Sequence, residues 1–445
     1  MRRSVMSLIP LFSLFLLISF VNVSPVGAVS RKDFVSLSIT LGDDAGYEDF
    51  AARLAALDYH NFTFVVMWTS DVANYWLANE TRRATLQDYG VVIPELIYYQ
   101  QDLPAVRVAN AFNIFDIMNY WMGGYPKGFK SFIPDTFVAQ YLLDTFGATY
   151  VQGYCFDQYT IDFMTERGGW QLPYYSSGSH ILKPSDGEGI IVFPHVTWDW
   201  LDSFTVAHHY NTHIQNLIGA GGMYEGNEAA GKAYWLELID RSVTSSSPFG
   251  YVGVQWEWDW MLTCGLEDEV FEWFDTLLEN PLYAFWTYED VAAWFLANYA
   301  SNPVYRVSFT SPHSESSVEW YWSTLKRVCR VGGVVLSYVD YAIPNADKYR
   351  TESQYVEWGD GWLDNPDGCV DTTIYNCLVV DALGGGLYRW AGVGEGVAYG
   401  GDLADFGGAS PSLLWYQVPS TFLGVVCLGF LSVFTLAWIV RKFSW

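Results

Sequence analysis

Positive charge is scarce in this chain. Lys and Arg together number 23 against 49 Asp and Glu, a formal net charge of −26 over 445 residues. A nucleic-acid partner, which needs a basic footprint, is not expected. Charge of either sign is thin at 16% of residues, while aromatics reach 18%, so the acidity reflects missing Lys and Arg rather than dense acidic runs. Such a surface suits an acidic or salty exterior and also aids solubility. Cysteines are few: there are six, with no Cys-x-x-Cys, which argues against a structural zinc site. No Gly-x-Ser-x-Gly elbow, P-loop or dinucleotide glycine pattern occurs. The glycines of Gly384–Gly386 and GVGEGVAYGG lack the following helix that a phosphate loop requires, so they read as turn glycines.

Long apolar runs are confined to the two ends. Residues 1–28 carry Arg2 and Arg3, an apolar stretch from Leu8 to Val23 and small residues at Val26-Gly27-Ala28, the order of a secretory signal peptide. Thr421–Val440 is uncharged, about long enough to span a bilayer as one transmembrane helix, and followed by Arg441 and Lys442. That charge sets the tail 441–445 in the cytoplasm. The expected location is the cell membrane, with the N-terminal ectodomain outside. Cys427 falls in the membrane segment, leaving Cys155, Cys264, Cys329, Cys369 and Cys377 outside. Cys369 and Cys377 bracket a short turn-rich stretch and form the best disulfide candidate in an oxidising exterior. Asn61-Phe-Thr63 and Asn79-Glu-Thr81 are N-glycosylation sequons.

Between these ends, short apolar runs alternate with helical patterns from Phe34 to Tyr299. Phe34–Leu41, Phe62–Met67, Val91–Tyr98, Tyr150–Tyr154, Gly189–Phe193, Tyr251–Val254 and Tyr283–Trp286 read as strands. Tyr47–Leu57, Trp76–Gln87, Glu267–Glu279 and Tyr288–Tyr299 read as helices. About seven such repeats without hairpin spacing predict an α/β fold, a (β/α)7-type barrel over 29–301. After Pro303 helical periodicity fades, and Val304–Phe309, Val334–Val339 and Cys377–Val380 predict a smaller β-rich juxtamembrane domain over 302–400. Residues 401–420, rich in Gly, Ser and Pro, form a linker into the bilayer.

The stretch Tyr251–Trp260, YVGVQWEWDW, carries the most chemistry. It begins as a strand and sets Glu257 and Asp259 among Trp256, Trp258 and Trp260. Aromatic faces stack on sugar rings, and apolar surroundings shift carboxyl groups toward acid–base work. Functional groups of parallel barrels gather at the carboxyl ends of strands. Acids recur there: Asp43 and Asp44 after the first strand, Asp157 and Asp162 after Tyr150–Tyr154, and Asp199 and Asp202 after Gly189–Phe193. Trp170, Tyr174, Tyr175, Trp198 and Trp200 are candidate stacking platforms, and His180 and His195 candidate substrate contacts. His209 and His213 stand four apart, but no Glu follows His209 as a zinc-protease helix would need.

The first unit, LSITLGDDAGYEDFAARLAALDYHNFTFVV, resembles the opening of NodB-type polysaccharide deacetylases, a strand ending in paired Asp followed by a helix and an aromatic-rich strand. GFKSFIPDTFVAQYLLDTFGATYVQGYCFDQYTID resembles their later stretch, and Phe285–Val291 a closing helix start of the wider glycoside hydrolase/deacetylase superfamily. The middle, with DQYTIDFMTERGGWQLPYYSSGSHILKP, resembles an uncharacterised secreted group in that superfamily. The resemblance covers roughly Phe34–Tyr299 and implies a barrel acting on glycans. It also implies a divalent metal held by an Asp and a His-Ser-x-x-x-His pair. Here the corresponding region reads IPELIYYQQDLP, with Glu95, Tyr98 and Tyr99 and no histidine. A metal stays possible, but two expected ligands are missing.

The reading that follows is a membrane-anchored extracellular hydrolase acting on a glycan or cell-envelope polysaccharide. Glu257 serves as one catalytic carboxyl and Asp157 or Asp199 as the other, with Asp43 and Asp44 as further candidates. Trp170, Tyr174, Tyr175, His180, His195, Trp198, Trp256 and Trp258 are the candidate substrate contacts. The alternatives are a non-catalytic surface protein binding a glycan or partner through a degenerate barrel, and a metal-dependent deacetylase with rebuilt ligands.

Overall fold

Alternation sets the first strand. In DFVSLSITL, Val35, Leu37, Ile39 and Leu41 point to one face and Ser36, Ser38 and Thr40 to the other, and both faces are buried. A strand covered on both sides belongs in a parallel sheet wrapped by helices. The computed structural model describes residues 31–42, 46–67, 70–96, 104–131, 136–153, 157–158, 164–165, 171–178, 180–187, 189–194, 196–201, 210–332, 334–340, 380–384, 387–390 and 398–399, some by backbone alone. The expected signal peptide, linker, transmembrane helix and Cys369–Cys377 pair lie outside the described residues. Among those described, no helix is long and apolar enough to cross a membrane.

The strands in chain order are β1 (Asp33–Leu41), β2 (Phe62–Met67), β3 (Gly90–Glu95), β4 (Gly128–Lys130) and β5 (Tyr150–Gln152). Two hairpins follow, β6 (Asp157–Gln158) with β7 (Met164–Thr165) and β8 (Tyr174–Ser177) with β9 (His180–Pro184). Next come β10 (Ile191–Phe193), β11 (Ser246–Ser247), β12 (Gly250–Glu257) and β13 (Ala284–Phe285), then β14 (Tyr305–Thr310), β15 (Ser317–Trp322), β16 (Lys326–Val331) and β17 (Val334–Asp340). A last small sheet holds β18 (Val380–Gly384), β19 (Leu387–Trp390) and β20 (Ala398–Tyr399). In space the main sheet runs β12-β1-β2-β3-β4-β5-β10 with every pair parallel, and β8 and β9 extend it antiparallel beyond β10.

The sheet curls on itself. Lys130 of β4 and Gln152 of β5 both hydrogen-bond to side chains of β1, Thr40 and Ser38. Strands three and four places apart in a flat sheet stand about 14 and about 19 Å apart, so only strong curvature lets these groups touch. At the two ends, Phe193 of β10 lies 5.3 Å from Tyr251 of β12, and the Thr197 N–H donates to Gly253 O at 3.1 Å. The inner floor is aromatic. Tyr150 and Tyr288 each pack on Phe193, with ring centroids 5.9 and 5.5 Å away, and burial holds the Tyr150 and Tyr251 phenols well above their usual range. Gly128 is required beside them: a Cβ there would lie 2.2 Å from the Tyr150 ring.

Helices cover the outer face. The helix Tyr47–Leu57 sets Phe50 against Phe64, Trp76 and Trp258. The helix Glu267–Leu278 brings Phe274 to 3.9 Å from Trp256. Asn79 caps the helix Glu80–Tyr89 by accepting from the Thr81 and Arg82 amides, and Thr287 caps Tyr288–Asn298 by accepting from Asp290 N–H. The helices Pro104–Met122 and Glu228–Ser245 went unread in the sequence.

The antiparallel sheet β11-β14-β15-β16-β17 shares the hydrophobic core of the parallel one. Its first strand, β11, precedes residue 302, and Trp320 Nε1 donates to Trp200 O at 3.0 Å while Trp322 packs 5.3 Å from Trp200. Asn302, at the expected domain boundary, accepts from Tyr175 N–H at 2.7 Å and donates to Tyr175 O and Ser185 O. The boundary residue is thus a clamp, not a hinge.

Candidate active site

Register decides which side chains meet inside the curl. Thr40 pairs with Glu257 across β1 and β12, Met67 with Glu95 across β2 and β3, and Glu95 with Lys130 across β3 and β4. On β12 the side chains alternate, so Tyr251, Gly253, Gln255 and Glu257 face inward while Val252, Val254 and Trp256 face the helices. The inner polar layer follows. Gln255 Nε2 and Lys130 Nζ both donate to Thr40 Oγ1, at 3.0 and 2.9 Å, and Gln152 donates to Ser38 Oγ.

A charge pair sits in this layer. Lys130 Nζ lies 3.1 Å from Glu95 Oε1, and the two side chains are 0% and 1% exposed. The ammonium stands off the direction of a hydrogen bond, and neither Glu95 oxygen has a donor among the described residues. Burying two charges costs several kcal/mol per ion unless they attract closely. The pair sits at the carboxyl ends of β3 and β4, where parallel barrels keep their functional groups, and is a candidate functional position on that ground.

Glu257 closes β12 at the same end, half-buried, with its backbone N–H donating to Gln215 Oε1 at 3.2 Å. Asp259, in the first turn of the helix Trp258–Cys264, lays its carboxyl on Gly42: a Cβ there would lie 2.4 Å from Oδ2. Gly42 directly precedes Asp43 and Asp44 in the chain, and those two lie outside the described residues, as do Trp170 and His195. Asp157 opens β6 in the hairpin with β7, and His180 opens β9; both are described by backbone alone.

Asp199 is placed elsewhere. Fully buried, it accepts from Leu201 N–H at 3.0 Å and from the Ser311 hydroxyl at 2.7 Å, tying the segment after β10 to the turn between β14 and β15. Against its expected catalytic role, Asp199 is a buried bracing group here: Oδ1 fixes its own turn and Oδ2 reaches the second sheet. Asp199→Ala should cost about 2–3 kcal/mol, the scale of hydrogen bonds to a charged group, read as a lower urea midpoint. Any turnover per folded molecule should stay unchanged. A loss of turnover at unaltered stability would return Asp199 to the site.

The expected stacking platforms are corrected likewise. Tyr174 is buried with its hydroxyl on Ile181 O at 3.0 Å, and the buried Tyr175 donates to Tyr299 O at 2.7 Å. Trp198, Trp200, Trp256 and Trp258 are at most 2% exposed. Stacking on a sugar needs an open ring face, and these rings are packed against protein. Cys264 and Cys329 are free thiols, the latter buried and its thiol pushed well up by burial.

Sequence reasoning missed Lys130, Gln152 and Gln255 and gave Glu95 no role. One signal was available: Ser36, Ser38 and Thr40 form a polar face on a strand whose other face is Leu and Ile. The metal of the resembling deacetylases does not fit the described donors. Where its histidines are expected, Glu95 faces a lysine ammonium, and a fixed cation repels a second one. Among the described residues no group of three His, Cys, Asp or Glu could hold a metal ion.

Comparison with known proteins agrees with this architecture. The model of a family described as a domain of unknown function with a solved structure, DUF3863, matches residues 72–322. A candidate glycoside hydrolase/deacetylase from Parabacteroides distasonis superposes with a TM-score of 0.55 at 15% identity, covering 75% of this chain and 86% of that one. A candidate polysaccharide deacetylase from Mycobacterium smegmatis gives 0.41 at 10% identity, covering 60% and 92%. No functionally curated protein matches the chain.

Proposed function

The chain belongs to the DUF3863 family, and from that premise we propose that it is a glycan-active hydrolase whose parallel strands form a closed seven-stranded barrel. The observation that carries this reading is Glu257. It ends β12 on the inner face, beside Thr40, at the carboxyl end of the sheet where parallel barrels keep their chemistry. In this reading Glu257 protonates the glycosidic oxygen as its bond to the anomeric carbon breaks. A second carboxylate, from Asp43, Asp44 or Asp259 around Gly42, attacks that carbon or deprotonates the water that does. Lys130 and Glu95, joined through Thr40 to the same layer, keep the groups beneath in one arrangement.

The protein works outside the cell, delivered by residues 1–28 and held by a helix over 421–440. Alkaline carbonate should leave the full chain in the membrane pellet; intact chain in the supernatant would remove the anchor.

The decisive assay incubates the full chain with neutral and acetylated polysaccharides and measures reducing ends and free acetate. New reducing ends, insensitive to chelator, are expected. Acetate release abolished by chelator would replace the hydrolase with a metal-dependent deacetylase. Binding with neither product would favour the second reading, a non-catalytic glycan-binding protein. That reading draws support from the Glu95–Lys130 pair, which stands where metal ligands are expected.

A further inference from the structure

The sheet's other end carries a groove that the proposed chemistry does not use. It holds about 430 Å³ and is lined by Asn61, Trp286, Asp290, Ala293 and Trp294. Asn61 directly precedes β2, and Trp286 follows β13, its N–H donating to Val35 O near the start of β1. The groove therefore opens at the amino ends of the strands. β1 spans nine residues, about 25–30 Å at 3.3 Å each, which separates the groove from Glu257 by most of the barrel's height.

We propose that this groove is a second glycan-binding site, accepting one or two pyranose rings of a neutral polysaccharide. Unlike the buried tryptophans at the carboxyl end, Trp286 and Trp294 are only half-buried, and both line open space. Phe34 braces them from beneath, its ring centroid 5.1 Å from Trp286 and 4.7 Å from Trp294. Rigid aromatic faces contact the C–H face of a sugar at little entropic cost, and planar polar groups at the rim read its hydroxyls. Both rim groups are already oriented. Asn61 Nδ2 donates to Phe285 O at 3.2 Å, leaving the amide oxygen to accept from a ligand. Asp290 receives the Thr287 hydroxyl on Oδ2 at 2.7 Å, which fixes its carboxylate at the rim. Lys32 Nζ lies over the Trp286 ring, 4.2 Å from its centroid, so a sugar stacking on that face must displace the lysine to the rim, where it adds one donor. Ala293 keeps the floor shallow enough for a ring to settle.

Charge selects the ligand. One lysine against the groove's own aspartate, in a protein of net charge −26, disfavours a polyanionic glycan. The site rests on the glycan reading above but deepens it: a grip on one end and carboxylates on the other would keep a long polysaccharide near the protein between cuts.

The test titrates cellohexaose, chitohexaose, mannohexaose and xylohexaose into the full chain, by calorimetry and tryptophan fluorescence. At least one should bind, and Trp286→Ala should weaken a class of sites more than tenfold. Ala293→Arg serves as the second variant, because Ala293 is exposed and its replacement fills the groove without opening the core. The same tenfold loss is expected, with near-ultraviolet dichroism unchanged. No binding of any of the four, or affinities indifferent to Ala293→Arg, would overturn the site, as would a glycan found covalently attached at Asn61. The two readings fail separately. Oligosaccharide binding sensitive to Ala293→Arg in a protein that cuts nothing keeps the groove and loses the hydrolase, whereas turnover with indifferent binding does the reverse.

Discussion

Replacing Lys130 by Met should cost the folded protein about 3–5 kcal/mol, the scale for removing one partner of a buried ion pair. The substitution preserves most of the side chain's volume, so packing is not the cause. What remains is Glu95, at most 1% exposed, with its one cation gone and no hydrogen-bond donor on either oxygen among the described residues. Thr40 also loses a donor, one of the two that hold it toward the interior. Urea or guanidinium midpoints read the effect. The double variant Lys130→Met, Glu95→Gln should recover most of the loss, since it removes both charges and leaves an amide in place of a stranded carboxylate. If Lys130→Met alone were as stable as the wild type, the pair would be neither buried nor coupled.

The same interior explains what the sequence could and could not disclose. β1 and β2 were located to within a residue as apolar, β-forming runs, because both are long enough to stand out from their flanks. Tyr47–Leu57 was equally legible from its helical spacing. β5 and β10, three residues each, were found as apolar runs but are too short for a period to show which side chains turn inward, so Gln152 was missed, and β4, equally short, went unread together with Lys130. Alternation also names two faces without saying which one turns inward. In a half-buried strand the Leu and Ile of SLSIT would meet the core and the Ser and Thr would meet water. Here helices cover the apolar face, and the polar face fills the curl of the sheet. That inversion accounts for the tryptophans of WEWDW. Trp256 and Glu257 are neighbours, so they must point to opposite sides of β12. A ligand that meets the carboxylate cannot lie on that ring, and Trp256 spends its face on Phe274 instead.

Glu257→Gln should lower kcat on a cleavable glycan by about 10²–10⁴-fold, the range for removing a positioned proton donor. The change is isosteric, and the backbone N–H that donates to Gln215 Oε1 is kept by the substitution. Stability and oligosaccharide affinity should therefore move little, so that KM stays near the wild-type value while kcat falls. That split is the informative readout. A side chain merely bracing the end of β12 would lower the denaturation midpoint along with the rate, and a side chain that only binds sugar would raise KM. Because alternation separates Glu257 from the packed Trp256, any loss of rate in this variant reports on the inner face of the sheet alone. Turnover that survives would move the chemistry to the acids around Gly42, where Asp259 already rests against the residue that leads into Asp43 and Asp44.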